Sequence, residues 1–177
     1  MSRRLAQLAP GEYFVGSAGY RVRTLLGSCV SITLWHPLLR VGAMSHFLLA
    51  ERPARQGTGN PPDARYGTEA LQLMMAGLAR RGALPSECEA KVFGGAHMFP
   101  SQARSWPHQV GQRNGDAALE LLEAEGIPIV SSCLYGHGHR IVIFDIESGD
   151  VWARQASIAS DQPRRTGPAP LALQEEP

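Results

Sequence analysis

Cys29 and His46 are residue types from which a nucleophilic site can be built. A free thiol has a pKa near ~8.5 and is mostly protonated at neutral pH, while the thiolate is the reactive form. A neighbouring imidazole takes that proton and, as imidazolium, later protonates a leaving group. Cys29 follows Thr24-Leu25-Leu26-Gly27-Ser28, so a glycine turn delivers it to the head of an extended run, held rigidly yet reachable from outside. Main-chain N–H groups around Gly27, Ser28 and Cys29 would then hold a developing oxyanion.

A hairpin must bring the two together. Val30, Ile32 and Leu34 alternate with Ser31, Thr33 and Trp35, a period of two, and Val41–Leu49 reads as the returning strand. A loop His36–Leu39, closed by Trp35 and Arg40, sets Cys29 opposite His46, each six residues out from the closing pair. Directly opposed residues have Cβ atoms ~4.5–5.5 Å apart, close enough for thiol to meet imidazole. A loop one residue longer or shorter, or a bulge, breaks that register. From pattern alone, a small buried thiol and a core histidine is the more ordinary reading of such a pair.

Two helices are expected. Leu71, Met74, Met75 and Leu78 form one apolar stripe between Gly67 and Gly82, with Thr68 as N-cap and Gly82 at the C-terminal stop. A second helix runs from about Gly115 to Glu125, started by Asn114 or Asp116 and closed by Gly126. Further strands are Ala90–Phe93, Ile127–Val130, His139–Ile146 and Val151–Gln155, the last two forming a hairpin. The class is α/β or α+β: a compact single domain with a mostly antiparallel sheet and two main helices packed on it.

With 177 residues the chain suits one domain, at roughly 100–200 residues each. Residues 1–10 read as a flexible leader, 11–156 as the folded domain, and the Pro-rich 157–177 as a flexible tail. A net charge of +1 argues against a nucleic-acid or membrane-surface protein. No apolar run approaches the ~20 residues of a membrane span, and no signal peptide is visible. Cys29, Cys88 and Cys133 are widely spaced without a CxxC pair, so a reducing cytoplasm is expected rather than a disulfide framework.

Weaker candidates are set aside. Cys133, His137 and His139 have the flavour of a metal site, but zinc needs four ligands at structural sites or three at catalytic ones. Cys88 is far away in sequence, and His137 and His139 share strand parity only if Gly138 is extended, so they read better as loop residues. Phe93-Gly94-Gly95-Ala96 lacks the spacing of a phosphate-binding loop.

Taken together, Leu25-Leu26-Gly27-Ser28-Cys29-Val30, Gly42-Ala43-Met44-Ser45-His46-Phe47 and Ala90-Lys91-Val92-Phe93-Gly94-Gly95-Ala96-His97-Met98-Phe99 resemble the CheD family of chemoreceptor glutamine deamidases. Val110-Gly111-Gln112-Arg113-Asn114 resembles that family's IGxRN segment. The resemblance spans about residues 11–155 and keeps the order of the blocks. It implies Cys29 as nucleophile, His46 as general base and a third functional residue, a Thr shortly before the Cys, for which Thr24 is the nearest match. It implies methyl-accepting chemotaxis receptors as substrate and a CheC-type phosphatase as a possible partner, with no metal or organic cofactor. A non-catalytic binding module, or a cysteine peptidase or amidase of other specificity, are the rival readings. One block departs: where the family carries Asp-x-Gly-Gly-x-x-Gly-Arg, this chain has Cys133 to Arg140, with Tyr135 and His139 at two glycine positions. Those side chains restrict backbone angles that glycine leaves open.

Overall fold

In the computed structural model, residues 3–54, 59–98 and 107–156 are described; the proposed tail, 157–177, lies outside them. The described residues form β1 (Arg4–Leu8), β2 (Tyr13–Ser17), β3 (Tyr20–Leu26), β4 (Val30–His36), β5 (Val41–Ser45), α1 (Gly67–Ala79), β6 (Glu89–Gly94), α2 (Pro107–Ala124), β7 (Ile129–Leu134), β8 (Arg140–Asp145) and β9 (Val151–Gln155). The expected single sheet is two: β1-β3-β8-β9 and β2-β5-β4-β6-β7. Only β1–β3 and β6–β7 pair in parallel; the other strand pairs are antiparallel. The fold is therefore α+β, mostly antiparallel, in three layers.

Strand β4 explains the layering. Val30, Ile32 and Leu34 join Leu71, Met74 and Leu78 of α1 and Ala118 and Leu122 of α2 in one core. The opposite face, with Trp35 and with Met44 of β5, packs on Val22, Leu26, Val142 and Phe144 of the four-stranded sheet. Alternation thus identified the strand, but both its faces are covered. Burying Leu71, Met74 and Leu78 at roughly 1.5–3 kcal/mol each holds α1 in place. Packing supplies this hold, not capping: the helix starts at Gly67, and the N-cap residue, Tyr66, makes no side-chain cap bond.

Three expectations need correction. Residues Arg4–Leu8 are not a loose leader but an edge strand in parallel register with β3, Leu8 lying opposite Thr24. Buried Asp145 fastens its start through Arg3, at 2.7 Å. Helix α2 begins at Pro107, not near Gly115, so Asn114 is an interior residue and not a cap. Strand β7 runs Ile129–Leu134, later than expected, because Gly126 and Ile127 are still bonded to the end of α2.

Candidate active site

Thr24, fully buried on β3, has its hydroxyl oxygen 2.9 Å from the Leu8 carbonyl and 2.7 Å from His46 Nδ1. A carbonyl oxygen can only accept, so the one hydroxyl proton goes to Leu8 and Oγ1 accepts from Nδ1–H. That donor count fixes the imidazole tautomer and leaves Nε2 with a free lone pair. The backbone of His46 is held as firmly: its N–H donates to Glu12 at 2.9 Å and its carbonyl accepts from Gly11 at 2.8 Å. Burial lowers the His46 pKa to about 4, with nearby Glu12 offsetting part of the effect.

Cys29 stands where the chain leaves β3 of one sheet for β4 of the other. It is half-buried against the inter-sheet core. Burial pushes its thiol above the ordinary range, partly offset by the residue's own N–H. Thiol and imidazole are therefore both neutral at pH 7.

The expected register is wrong by one loop position. His36 pairs with Val41, so the turn is Pro37–Arg40 and not His36–Leu39. Arg40 takes a left-handed φ of 48° inside the turn, and His36 Nδ1 accepts from the Leu39 N–H at 3.2 Å, which ends the strand one residue later than Trp35. Val30 consequently bridges Phe47, and the position across from Cys29 is Leu48 rather than His46. The displacement is two residues along the partner strand. Side-chain parity survives such a shift, because faces alternate every residue.

The carbonyls of the turn carrying the thiol are all taken. Gly27 O accepts from Ala96 N–H and Cys29 O from Gly95 N–H, both at 2.9 Å. Ser28 O accepts from Asn114 Nδ2 at 3.2 Å. Gly94 is required here: its φ is 112°, and a Cβ would lie 2.2 Å from Cys29 O. The predicted residues Thr24 and His46 are thus in direct contact, while Gly27 and Ser28 form the turn that presents Cys29. Sequence reasoning missed Leu8, whose contribution is a carbonyl that any residue type supplies. It also missed the role of Asn114, whose signal was its place at the end of the Val110–Asn114 block.

The divergent segment packs against this framework. Tyr135 takes a left-handed φ of 64°, and its hydroxyl donates to Asp116 on α2 at 2.5 Å. Its N–H donates to Gly94 O at 2.8 Å. Arg140 donates to the carbonyls of Cys133 and Tyr135. The rings of His137 and His97 lie 5.9 Å apart, and among the described residues no group of three or more His, Cys, Asp or Glu could hold a metal ion. No described helix is long and apolar enough to cross a membrane. An open depression of about 930 Å³ has Leu8, Gly11 and Glu12 in its lining, but Thr24, Cys29 and His46 do not line it.

Comparison with known proteins finds relatives that match most of the chain. A family model described as CheD chemotactic sensory transduction matches residues 48–155. The chain is 57% identical over 151 residues to a probable chemoreceptor glutamine deamidase CheD 2 of Albidiferax ferrireducens, covering 84% of this chain and 85% of that protein. It is 43% identical to the probable chemoreceptor glutamine deamidase CheD of Pseudomonas savastanoi, covering 83% and 82%. A Chromobacterium violaceum protein of that name, CheD 1, is 41% identical, covering 86% and 78%. The alignments cover more than four-fifths of the chain, and the chain belongs to the CheD family.

Proposed function

We propose that this protein is a chemoreceptor glutamine deamidase in which Cys29 is the nucleophile and His46 the acid–base group. The observation that carries the reading is the Thr24 hydroxyl, which accepts from His46 Nδ1–H while donating to Leu8, so Nε2 is available as a base. His46 Nε2 takes the thiol proton as Cys29 Sγ attacks the side-chain carbonyl carbon of a receptor glutamine. The tetrahedral oxyanion meets main-chain N–H groups of the Gly27–Cys29 turn, whose carbonyls already have other partners. Imidazolium then protonates the departing nitrogen, and ammonia leaves a thioester. His46 next deprotonates water, which attacks the thioester and releases a glutamate side chain and the thiol. No step uses a metal or organic cofactor.

Burial raises the thiol and lowers the imidazole, so both are neutral before substrate arrives and the Sγ-to-Nε2 proton transfer is uphill until C–S bond formation draws it forward. The names of the relatives support receptors as the substrate. A cytoplasmic location follows from that substrate's methylated region, and a CheC-type phosphatase is a further partner of this reading.

Mass spectrometry of receptor cytoplasmic fragments, incubated with native protein and with Cys29→Ala, tests it. Gln-to-Glu mass changes on mapped peptides, absent with the variant, are expected. Equal modification by both proteins would remove Cys29 from the mechanism. No modification by either, with Cys29 inert to thiol labelling, would leave the binding module as the reading.

A further inference from the structure

Helix α2 meets the site through Gly111 and Asn114, three residues apart and so on one face. Gly111 presses on the Gly95 and Ala96 carbonyls so closely that a Cβ would sit 2.6 and 2.8 Å from them. Asn114 is 1% exposed. Its Nδ2 carries two protons and stands 3.2 Å from Ser28 O and 2.7 Å from Leu48 O. Ser28 immediately precedes Cys29, and Leu48 follows His46 by two residues.

The backbone ties between those two segments are few and end before Cys29 and Leu48. Regular β4–β5 pairing ends at Thr33 and Met44. Beyond it the Ile32 N–H donates to the Ser45 hydroxyl at 3.2 Å, and Val30 and Phe47 exchange two backbone hydrogen bonds at 3.1 and 3.0 Å. One residue further out the two segments bond elsewhere, Cys29 O accepting from Gly95 N–H and Leu48 N–H donating to Arg65 O. There the Asn114 amide joins them, its one nitrogen donating to the Ser28 and the Leu48 carbonyl.

We propose that Asn114 is a positioning residue, fixing the spacing between the Cys29 turn and the His46 strand end so that thiol and imidazole meet. The role rests on the Cys29–His46 reading above. Leucine at this position matches the shape and donates nothing; aspartate would bring acceptors toward two carbonyl oxygens.

A double-mutant cycle tests it, with kcat and KM measured on a receptor fragment and thermal melting as the check of folding. His46→Ala lowers kcat on the order of 10²–10⁴ in the native background. Asn114→Leu is expected to lower kcat by about 10–100-fold with KM nearly unchanged, the size of a nucleophile–base misplacement. In that background His46→Ala should cost less than about tenfold, because the imidazole already sits out of reach. An Asn114→Leu kcat within twofold of native overturns the proposal. So does an undiminished His46→Ala effect, which marks a general loss of active protein. No effect of His46→Ala in the native background overturns the Cys29–His46 reading itself, and the role of Asn114 with it. Should the leucine variant not fold, the same cycle is run on Asn114→Ser, whose hydroxyl is too short to span both carbonyls.

Discussion

Thr24 Oγ1 and His46 Nδ1 stand 2.7 Å apart, one on the four-stranded sheet and the other at the end of a strand of the five-stranded sheet. The contact makes the imidazole's protonation pattern a property of the way the two sheets pack. Thr24→Val keeps the shape and removes the acceptor, so Nδ1–H loses its partner and the tautomer is no longer fixed. It should lower kcat on the order of 10–10³-fold with little change in KM. Thr24→Ser should restore most of the rate; equal losses in both variants would mean that packing rather than the hydroxyl matters.

The thiol titration distinguishes a neutral pair from an ion pair. With Cys29 raised by burial and His46 lowered to about 4, the alkylation rate of Cys29 by iodoacetamide should keep climbing past pH 9. A plateau reached below pH 7 would instead mean a preformed thiolate–imidazolium pair.

His46 also links pH to stability. Its folded pKa, about 4, lies below the ordinary value of 6.5, so between those limits the unfolded chain binds more protons. The stabilisation is complete above pH 6.5 and is lost as pH falls toward 4, by at most about 1.4 kcal/mol per pH unit. Melting temperatures of native protein should fall over this window more steeply than those of His46→Gln. Parallel curves would show that His46 charges freely in the folded state.

The first strand is part of the site. Leu8 accepts the Thr24 proton, and Gly11 and Glu12 hold the His46 backbone. A chain beginning at Ala9 should therefore lose activity at least as far as Thr24→Val, together with a lower melting temperature. Full activity in that truncation would remove Leu8 from the relay.

Tyr135 accepts a left-handed backbone that glycine adopts more easily, and its hydroxyl bond to Asp116 helps offset the strain. Tyr135→Phe keeps the strain and the ring but loses the bond, and should cost about 0.5–1.5 kcal/mol in chemical denaturation. An unchanged midpoint would show the bond to be without net worth.

Residues with a strong period were legible before any coordinates: Val30, Ile32 and Leu34 on β4, the Leu71–Leu78 stripe on α1, and Val151–Gln155. The candidate pair was legible too, but its register was not, because the turn is set by the φ of Arg40 and the ring of His36 rather than by loop residue types. Strand β1 was missed since Arg4–Leu8 is largely exposed and shows no clean alternation. The first two turns of α2 were missed because Pro107, Gly111 and Gly115 look like breakers. At Gly111 the glycine answers to the carbonyls it faces, at a cost of about 1 kcal/mol against alanine within a helix.

The cage around the Cys29 turn draws its donors from Gly95, Ala96 and Asn114, and β3 has its antiparallel partner in β8, at Arg140–Asp145. On the proposed reading residues 24–46 carry the chemistry, yet about a hundred later residues must leave the ribosome before that chemistry has a frame. At ~5–20 residues per second of synthesis, a nascent chain spends several seconds with its thiol made and its site unformed. Reactivity by this mechanism therefore arrives with completion of the domain, and a chain cut short before β8 carries the proposed nucleophile without its frame.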